Sequence, residues 1–318
     1  MVYASSSPNY RIKSDVISGG GGEGSSTNYD LSATIGQATA ITYSSSTTYA
    51  NSAGFWHVMI SVHGRAEIVG AWGTGIWYWN PTTSGWTKMN NDIPSGPMAA
   101  GDITGDGRAD VASVWSSGLW YQNGATLGWT QVYSVPPSQL AVGDISGDGR
   151  TEIIGAWSTG IWYWNPAISG WTKMNNDIPS GPMAAGDVTG DGRADIASVW
   201  PSGLWYQNGA TLGWTKVYSV APTQIAVGDI SGDGRAEIIA AWSSGIWYWN
   251  PATSLFTKMW SSVPSGPIAA GDITGDGRAD VASVWPSGLW FQNGATLVWA
   301  QVYSVVPSKI AVGDITGN

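Results

Sequence analysis

In the stretch GDITGDGRAD, the side chains of Asp102, Thr104, Asp106 and Asp110 fall at positions one, three, five and nine, counted from the first Asp. Alternate positions of a tight loop aim their oxygens at one point, and a hard cation such as Ca²⁺ takes about six to eight oxygens at flexible geometry. Gly107 at position six permits the sharp turn that returns the ninth residue to that point. Arg108 at position seven offers its main-chain carbonyl. The chemistry expected here is cation binding by oxygen.

Four further copies are complete: Asp144, Ser146, Asp148, Arg150 and Glu152; Asp187, Thr189, Asp191, Arg193 and Asp195; Asp229, Ser231, Asp233, Arg235 and Glu237; Asp272, Thr274, Asp276, Arg278 and Asp280. Capping of backbone amides by the first Asp would account for one carboxylate per loop. Three carboxylates held close without a cation repel one another. Calcium is the expected ion in all five loops. Zinc is not, because the chain has no cysteine and its two histidines are His57 and His63.

The sixth copy is divided. The chain runs out at DITGN, with Asp314, Thr316 and Asn318, whereas GRAE at 64–67 has no acidic first half before it. Joined, the two restore the motif. The expectation is that they meet where a ring closes, giving a split site to which Arg65 and Glu67 come from the other end. FWHVMIS from Phe55 occupies the same place in the repeat as KIAVGDI from Lys309, so two strands compete for one slot.

The net charge of -9 resides mainly in these loops, and five divalent cations would bring it to about +1. With no basic stripe, nucleic acid is not an expected partner. No apolar run approaches the roughly 18 residues of a membrane helix. Disulfides are ruled out by the missing cysteines. Val2-Tyr3-Ala4 before Ser5 has the small-residue character of a cleavage site, so a secreted, extracellular chain whose signal peptide has been removed is expected.

The loops recur every 42 or 43 residues from Asp102 to Asp314, within six units that begin at Gly64. Each unit carries four strand signals, which in the second read ADVASVW, GLWYQN, TQVYSV and QLAVGDI, separated by Gly-, Asn- and Pro-containing turns. Four short strands repeated six times point to an all-β fold, a β-propeller of six four-stranded blades over residues 63–318. Two unit types alternate, GIWYWNP in odd units and GLWYQN or GLWFQN in even ones, so the duplicated element is a pair of blades. Residues 1–62 are rich in Ser, Thr and Gly and show looser polar/apolar alternation, with Ser18–Ser26 reading as a glycine-rich connector. They are expected to form an appended β-segment, a connector, or a divergent seventh blade.

The loop resembles the calcium loops of FG-GAP and VCBS-type repeats, found in integrin α-subunit propellers and in an integrin-like fungal lectin. The resemblance covers residues 64–318. It implies that side chains at positions one, three, five and nine, with the carbonyl at seven, hold calcium. Position three is Thr or Ser here, where many members carry Asp or Asn. The Phe-Gly and Gly-Ala-Pro signatures of those repeats are absent, Gly70-Ala71-Trp72 being the nearest sequence.

With 22 Trp in 318 residues, stacking on sugar rings has to be weighed against packing between blades. Candidate ligand residues are Trp77 and Trp79, Trp162 and Trp164, and Trp247 and Trp249, with Trp86, Trp171 and Asn80 nearby. Catalysis is not expected, since both histidines precede the repeats and the acids are committed to loops. The function expected is non-enzymatic recognition or adhesion, with an extracellular glycan or protein as partner. The alternative is a structural subunit of an extracellular homopolymer, in which residues 1–62 join copies of the chain by strand addition.

Overall fold

The computed structural model describes residues 64–317 and, before them, the backbone of five strands. The chain divides into two compact units, Met1–Gly64 and Arg65–Thr316. In the first, strands Arg11–Ile12, Gly21–Ser25, Tyr29–Thr34, Tyr49–Ala53 and Trp56–Val62 form one antiparallel sheet in the order first, second, third, fifth, fourth. The glycine-rich stretch read as a connector thus supplies a strand.

The second unit holds six four-stranded antiparallel sheets, blades I to VI. Blade II runs from an inner strand, Met98–Gly101, through Asp110–Trp115 and Gly118–Gln122 to an outer strand, Trp129–Tyr133. Blades III, IV, V and VI repeat this over 139–175, 183–218, 224–260 and 268–303. Blade I takes its inner strand, Lys309–Gly313, from the end of the chain and the other three, Glu67–Trp72, Gly75–Asn80 and Gly85–Asn90, from the beginning. Successive inner strands pack against one another, and that of blade VI meets Lys309–Gly313, which meets Met98–Gly101. The ring closes on six blades, so no seventh blade enters it.

One expectation about the repeat is corrected. QLAVGDI does not complete the sheet of its own sequence unit: Gln139–Gly143 pairs with Glu152–Trp157 of the next. The acidic loop is a hairpin joining neighbouring antiparallel strands, whereas the preceding Pro-containing link crosses from the outer edge of one blade to the centre of the next. The loop therefore lies within a blade and not at a junction. The competition for the closing slot is also decided, because Lys309–Gly313 pairs with Glu67–Trp72 while Trp56–Val62 pairs in the N-terminal sheet.

Local chemistry explains these strands. Second strands such as Glu152–Trp157 are buried along their whole length, as their apolar composition requires. Each third strand opens on a glycine, Gly75 or Gly160 for example, at φ near +118°. A Cβ there would overlap the backbone of the outer strand, which carries a bulge at the same place. The core lies between blades. At the II/III junction, Ile103, Val114 and Leu119 of blade II pack on Ile153 and Trp157 of blade III, each fully buried aliphatic side chain contributing about 1.5–3 kcal/mol.

Candidate functional site

Each acidic loop is first a hydrogen-bonded turn. In blade II, Asp102 accepts from Gly105 N and Asp106 N through Oδ1, at 2.7 and 3.0 Å, and from Gly107 N through Oδ2 at 2.8 Å. Asp106 Oδ1 accepts from Arg108 N at 3.0 Å. Asp110, fully buried, accepts from Thr104 N at 2.8 Å and from Gly124 N at 2.9 Å. Backbone amides therefore engage all three carboxylates, more than the one assigned to capping from the sequence. Gly105 and Gly107, at φ +74° and +84°, supply the left-handed conformations this needs.

Neighbouring loops are tied together around the ring. Thr151 N donates to Asp102 O at 2.8 Å, and the Arg150 side chain lies against Gly105, within 2.6 Å of where a Cβ would stand. Arg193, Arg235, Arg278 and Arg65 lie in the same way on Gly147, Gly190, Gly232 and Gly275.

The loops fall into two classes. In blades III and V position nine is Glu, whose extra methylene brings Asp144, Asp148 and Glu152, and likewise Asp229, Asp233 and Glu237, to where each offers an oxygen within 4.8 Å of the others. Ser146 and Ser231 add buried hydroxyls. Ser146 lies close enough to Glu152 to lower its pKa, yet its Oγ makes no hydrogen bond of good geometry, and Ser231 Oγ is alike. Burial outweighs this and holds Glu152 and Glu237 above the ordinary carboxylate range. One buried glutamate converging with a half-buried and an exposed aspartate, beside an unpartnered hydroxyl, fits a hard cation.

Blades II, IV and VI have Asp at position nine. There Asn123 Nδ2 points into the loop, donating to Thr104 Oγ1 at 3.2 Å and Asp106 Oδ2 at 3.3 Å. Its orientation is set by the turn, because Asn123 Oδ1 accepts from Thr126 N at 2.7 Å. Asn208 and Asn293 repeat the arrangement on Thr189 and Asp191, and on Thr274 and Asp276. An amide donor stands on the oxygens a cation would use, so these three loops fit a metal less well as arranged. Burial also raises Asp110 and Asp195, and pushes Asp280 up to about 6.

The divided loop is assembled from both ends. Glu67, fully buried, accepts through Oε2 from Ile315 N at 2.7 Å and through Oε1 from both Thr316 Oγ1 at 2.6 Å and Asn80 Nδ2 at 2.7 Å. Asn80 thus anchors the position-nine acid, as do Asn165 and Asn250, and does not belong to the tryptophan set. Asn318 lies outside the described residues.

The candidate tryptophans separate into two groups. Trp79, Trp164 and Trp249 pack on Phe291, Tyr121 and Tyr206 of the preceding blade, with ring centroids 6.1, 6.2 and 6.0 Å apart. They are inter-blade packing. Trp162 instead lines a cavity of about 450 Å³ at the II/III junction, with Tyr133, Trp157, Trp171, Ser158 and Thr159. Trp247 lines its counterpart of about 310 Å³ at the IV/V junction, with Tyr218, Trp242, Phe256, Ser243 and Ser244. Trp72, Trp86 and Tyr303 form the same cluster at the VI/I junction, with ring centroids 5.1–5.7 Å apart. Trp77 occupies the position of Trp162 and Trp247 there. Sequence reasoning missed Trp157, Trp242 and the tyrosines. One signal was present: Gly70 and Gly155, two residues before Trp72 and Trp157, interrupt buried strands where a Cβ would overlap the indole.

The FG-GAP-like repeat family model matches residues 229–283, which contain the loops of blades V and VI. No curated protein matches the chain. Among solved structures it is similar to an Agrocybe aegerita lectin described as recognising non-reducing terminal N-acetylglucosamine, at 18% identity and TM-score 0.51, over 75% of each chain. It is also similar to a chain of the nidogen/laminin complex, at 8% identity and TM-score 0.57, over 78% of this chain and 98% of that one. Among the described residues no helix is long and apolar enough to cross a membrane. With its closed ring of six four-stranded sheets, this chain is a six-bladed β-propeller carrying an FG-GAP-like repeat.

Proposed function

We propose that the chain is a secreted, non-enzymatic recognition module that binds carbohydrate in aromatic cavities between its blades and calcium in the loops of blades III and V. The observation that carries this reading is the cavity lined by Tyr133, Trp157, Trp162 and Trp171 with the hydroxyls of Ser158 and Thr159. Aromatic faces complement the apolar faces of pyranose rings, hydroxyls supply orienting hydrogen bonds, and a volume of about 450 Å³ admits a small saccharide. Neither cavity is lined by a nucleophile and a base in the arrangement covalent or acid–base catalysis needs. Repetition of the cluster makes the module multivalent, which suits adhesion to a glycan surface. The Agrocybe lectin offers a precedent for sugar recognition on this fold.

Binding to a glycan array in millimolar calcium tests the reading. Signal should fall in the Trp157→Ala, Trp162→Ala double variant, which removes one of the repeated cavities. Undiminished signal in that variant, or none in the native chain, removes it.

The homopolymer reading is supported by the N-terminal sheet, which is open where the propeller is closed: Arg11–Ile12 and Tyr49–Ala53 pair on one side only among the described strands. Sedimentation of the full chain over a concentration series tests it, and a single monomeric species throughout counts against it.

A further inference from the structure

The charge beside the cavities has a regular arrangement. The described propeller contains five lysines, and four stand over an indole: Lys88 on Trp77, Lys173 on Trp162, Lys216 on Trp205 and Lys258 on Trp247, each with Nζ 5.3 Å from the ring centroid. Three belong to odd blades, where the indole beneath is the cavity tryptophan or its counterpart at the closing junction. Strand register puts them on the cavity face. Lys173 is directly opposite Trp162 and two residues beyond Trp171, and both tryptophans line the cavity at the II/III junction. Lys258 has the same relation to Trp247 and Phe256. All three lysines are exposed and none makes an ion pair among the described residues. The carboxylates that give the protein its negative charge are concentrated in the acidic loops.

Resting on the carbohydrate reading above, we infer that the odd-blade aromatic clusters select acidic sugars, placing a ring carboxylate or sulfate against Lys173 or Lys258 at the two cavities, or Lys88 at the matching cluster of the closing junction, while the pyranose face meets the tryptophans. An ammonium held over an indole is positioned by cation–π attraction, so less side-chain freedom is lost when an anion arrives. Lys216 provides an internal control, since it stands on Trp205 in an even blade whose indole lines neither cavity.

The test is calorimetric titration of the full chain in calcium with two pairs of ligands. One is a galacturonic-acid tetramer and its carboxyl-reduced form, and the other a sulfated galactan oligosaccharide and its desulfated form. At least one acidic member should bind tenfold or more tighter than its neutral partner, and which pair shows the gap identifies the anion. Combined Lys88→Ala, Lys173→Ala and Lys258→Ala should abolish the gap with melting temperature unchanged, while Lys216→Ala should leave it intact. Equal affinity of acidic and neutral forms, or an equal loss in Lys216→Ala, overturns the inference. If neutral sugars still bind and Trp162→Ala lowers the number of sites, the carbohydrate reading survives alone. If no sugar binds, both fall.

Discussion

Glu67 Oε1 accepts a hydrogen bond of 2.6 Å from Thr316 Oγ1, a residue 249 positions away in the chain. The contact belongs to the closing blade, in which Gly313 lies opposite Glu67 in the register. Ring closure therefore buries a carboxylate from one end of the repeats in the loop formed by the other.

Replacing Glu67 should loosen that closure. Glu67→Ala leaves the amides of Ile315 and Thr316 and the Asn80 amide without their acceptor, at a cost of about 1–3 kcal/mol for each buried group left unpaired. The expected outcome is a lower urea midpoint with early proteolysis after Lys309. Glu67→Gln, which keeps an acceptor oxygen, should lose less. Equal stability of Glu67→Ala and the native chain would show that closure rests on strand pairing alone.

Calcium stoichiometry should follow the two loop classes. Titration of chelator-stripped protein is expected to show two tight ions, held in loops 144–152 and 229–237, in place of the five read from the motif. Asp148→Asn and Asp233→Asn should each remove one, while Asp106→Asn leaves the count unchanged. Calcium should raise the melting temperature by binding the folded state alone, and a melt identical in chelator would exclude a structural role. Five tight sites would mean that Asn123, Asn208 and Asn293 turn away on binding.

Without metal, stability should fall as pH rises from about 4 to about 6. Burial raises Asp280 to about 6 from its ordinary 3.8, so the folded protein holds this proton more tightly than the unfolded chain. The resulting stabilisation is complete below the unfolded pKa and lost as pH passes through the folded one. Asp110 and Asp195 shift in the same direction and add to the slope. Melting in chelator across this range checks the sign, and Asp280→Asn should remove part of the slope.

Cavity size should respond to one methyl group. Gly155 leaves room for the Trp157 indole, and a Cβ there would overlap it. Blade V carries Ala240 at the matching position, and its cavity is the smaller, about 310 against 450 Å³. Gly155→Ala is expected to weaken ligand binding at the II/III junction several-fold and to cost about 1–3 kcal/mol through overpacking. Ala240→Gly should strengthen binding at the IV/V junction. Titration of each variant with the same oligosaccharide decides the matter.

Much of this architecture is written locally. The spacing of Asp102, Asp144 and Asp187, the buried run at each second strand and the Gly-led third strands specify how many repeats there are and what each contains, because turn chemistry and side-chain alternation act over a few residues. The meeting of Glu67 with Asp314–Thr316 was legible too, since a motif cut in two can be rejoined on paper. Three matters were decided only by the tertiary structure. Strands are shared between neighbouring repeats, because a hairpin pairs its own two strands whatever the sequence period. Loops with the same motif differ, because Asn123 arrives from a turn about 20 residues away and Glu152 is one methylene longer than Asp110. Trp162 borders a cavity while Trp164, two residues on and on the same face, packs on Tyr121, because the space between blades depends on how two separate sheets are set against each other. Alternation along a strand assigns a residue to a face; only the neighbouring blade determines what that face meets.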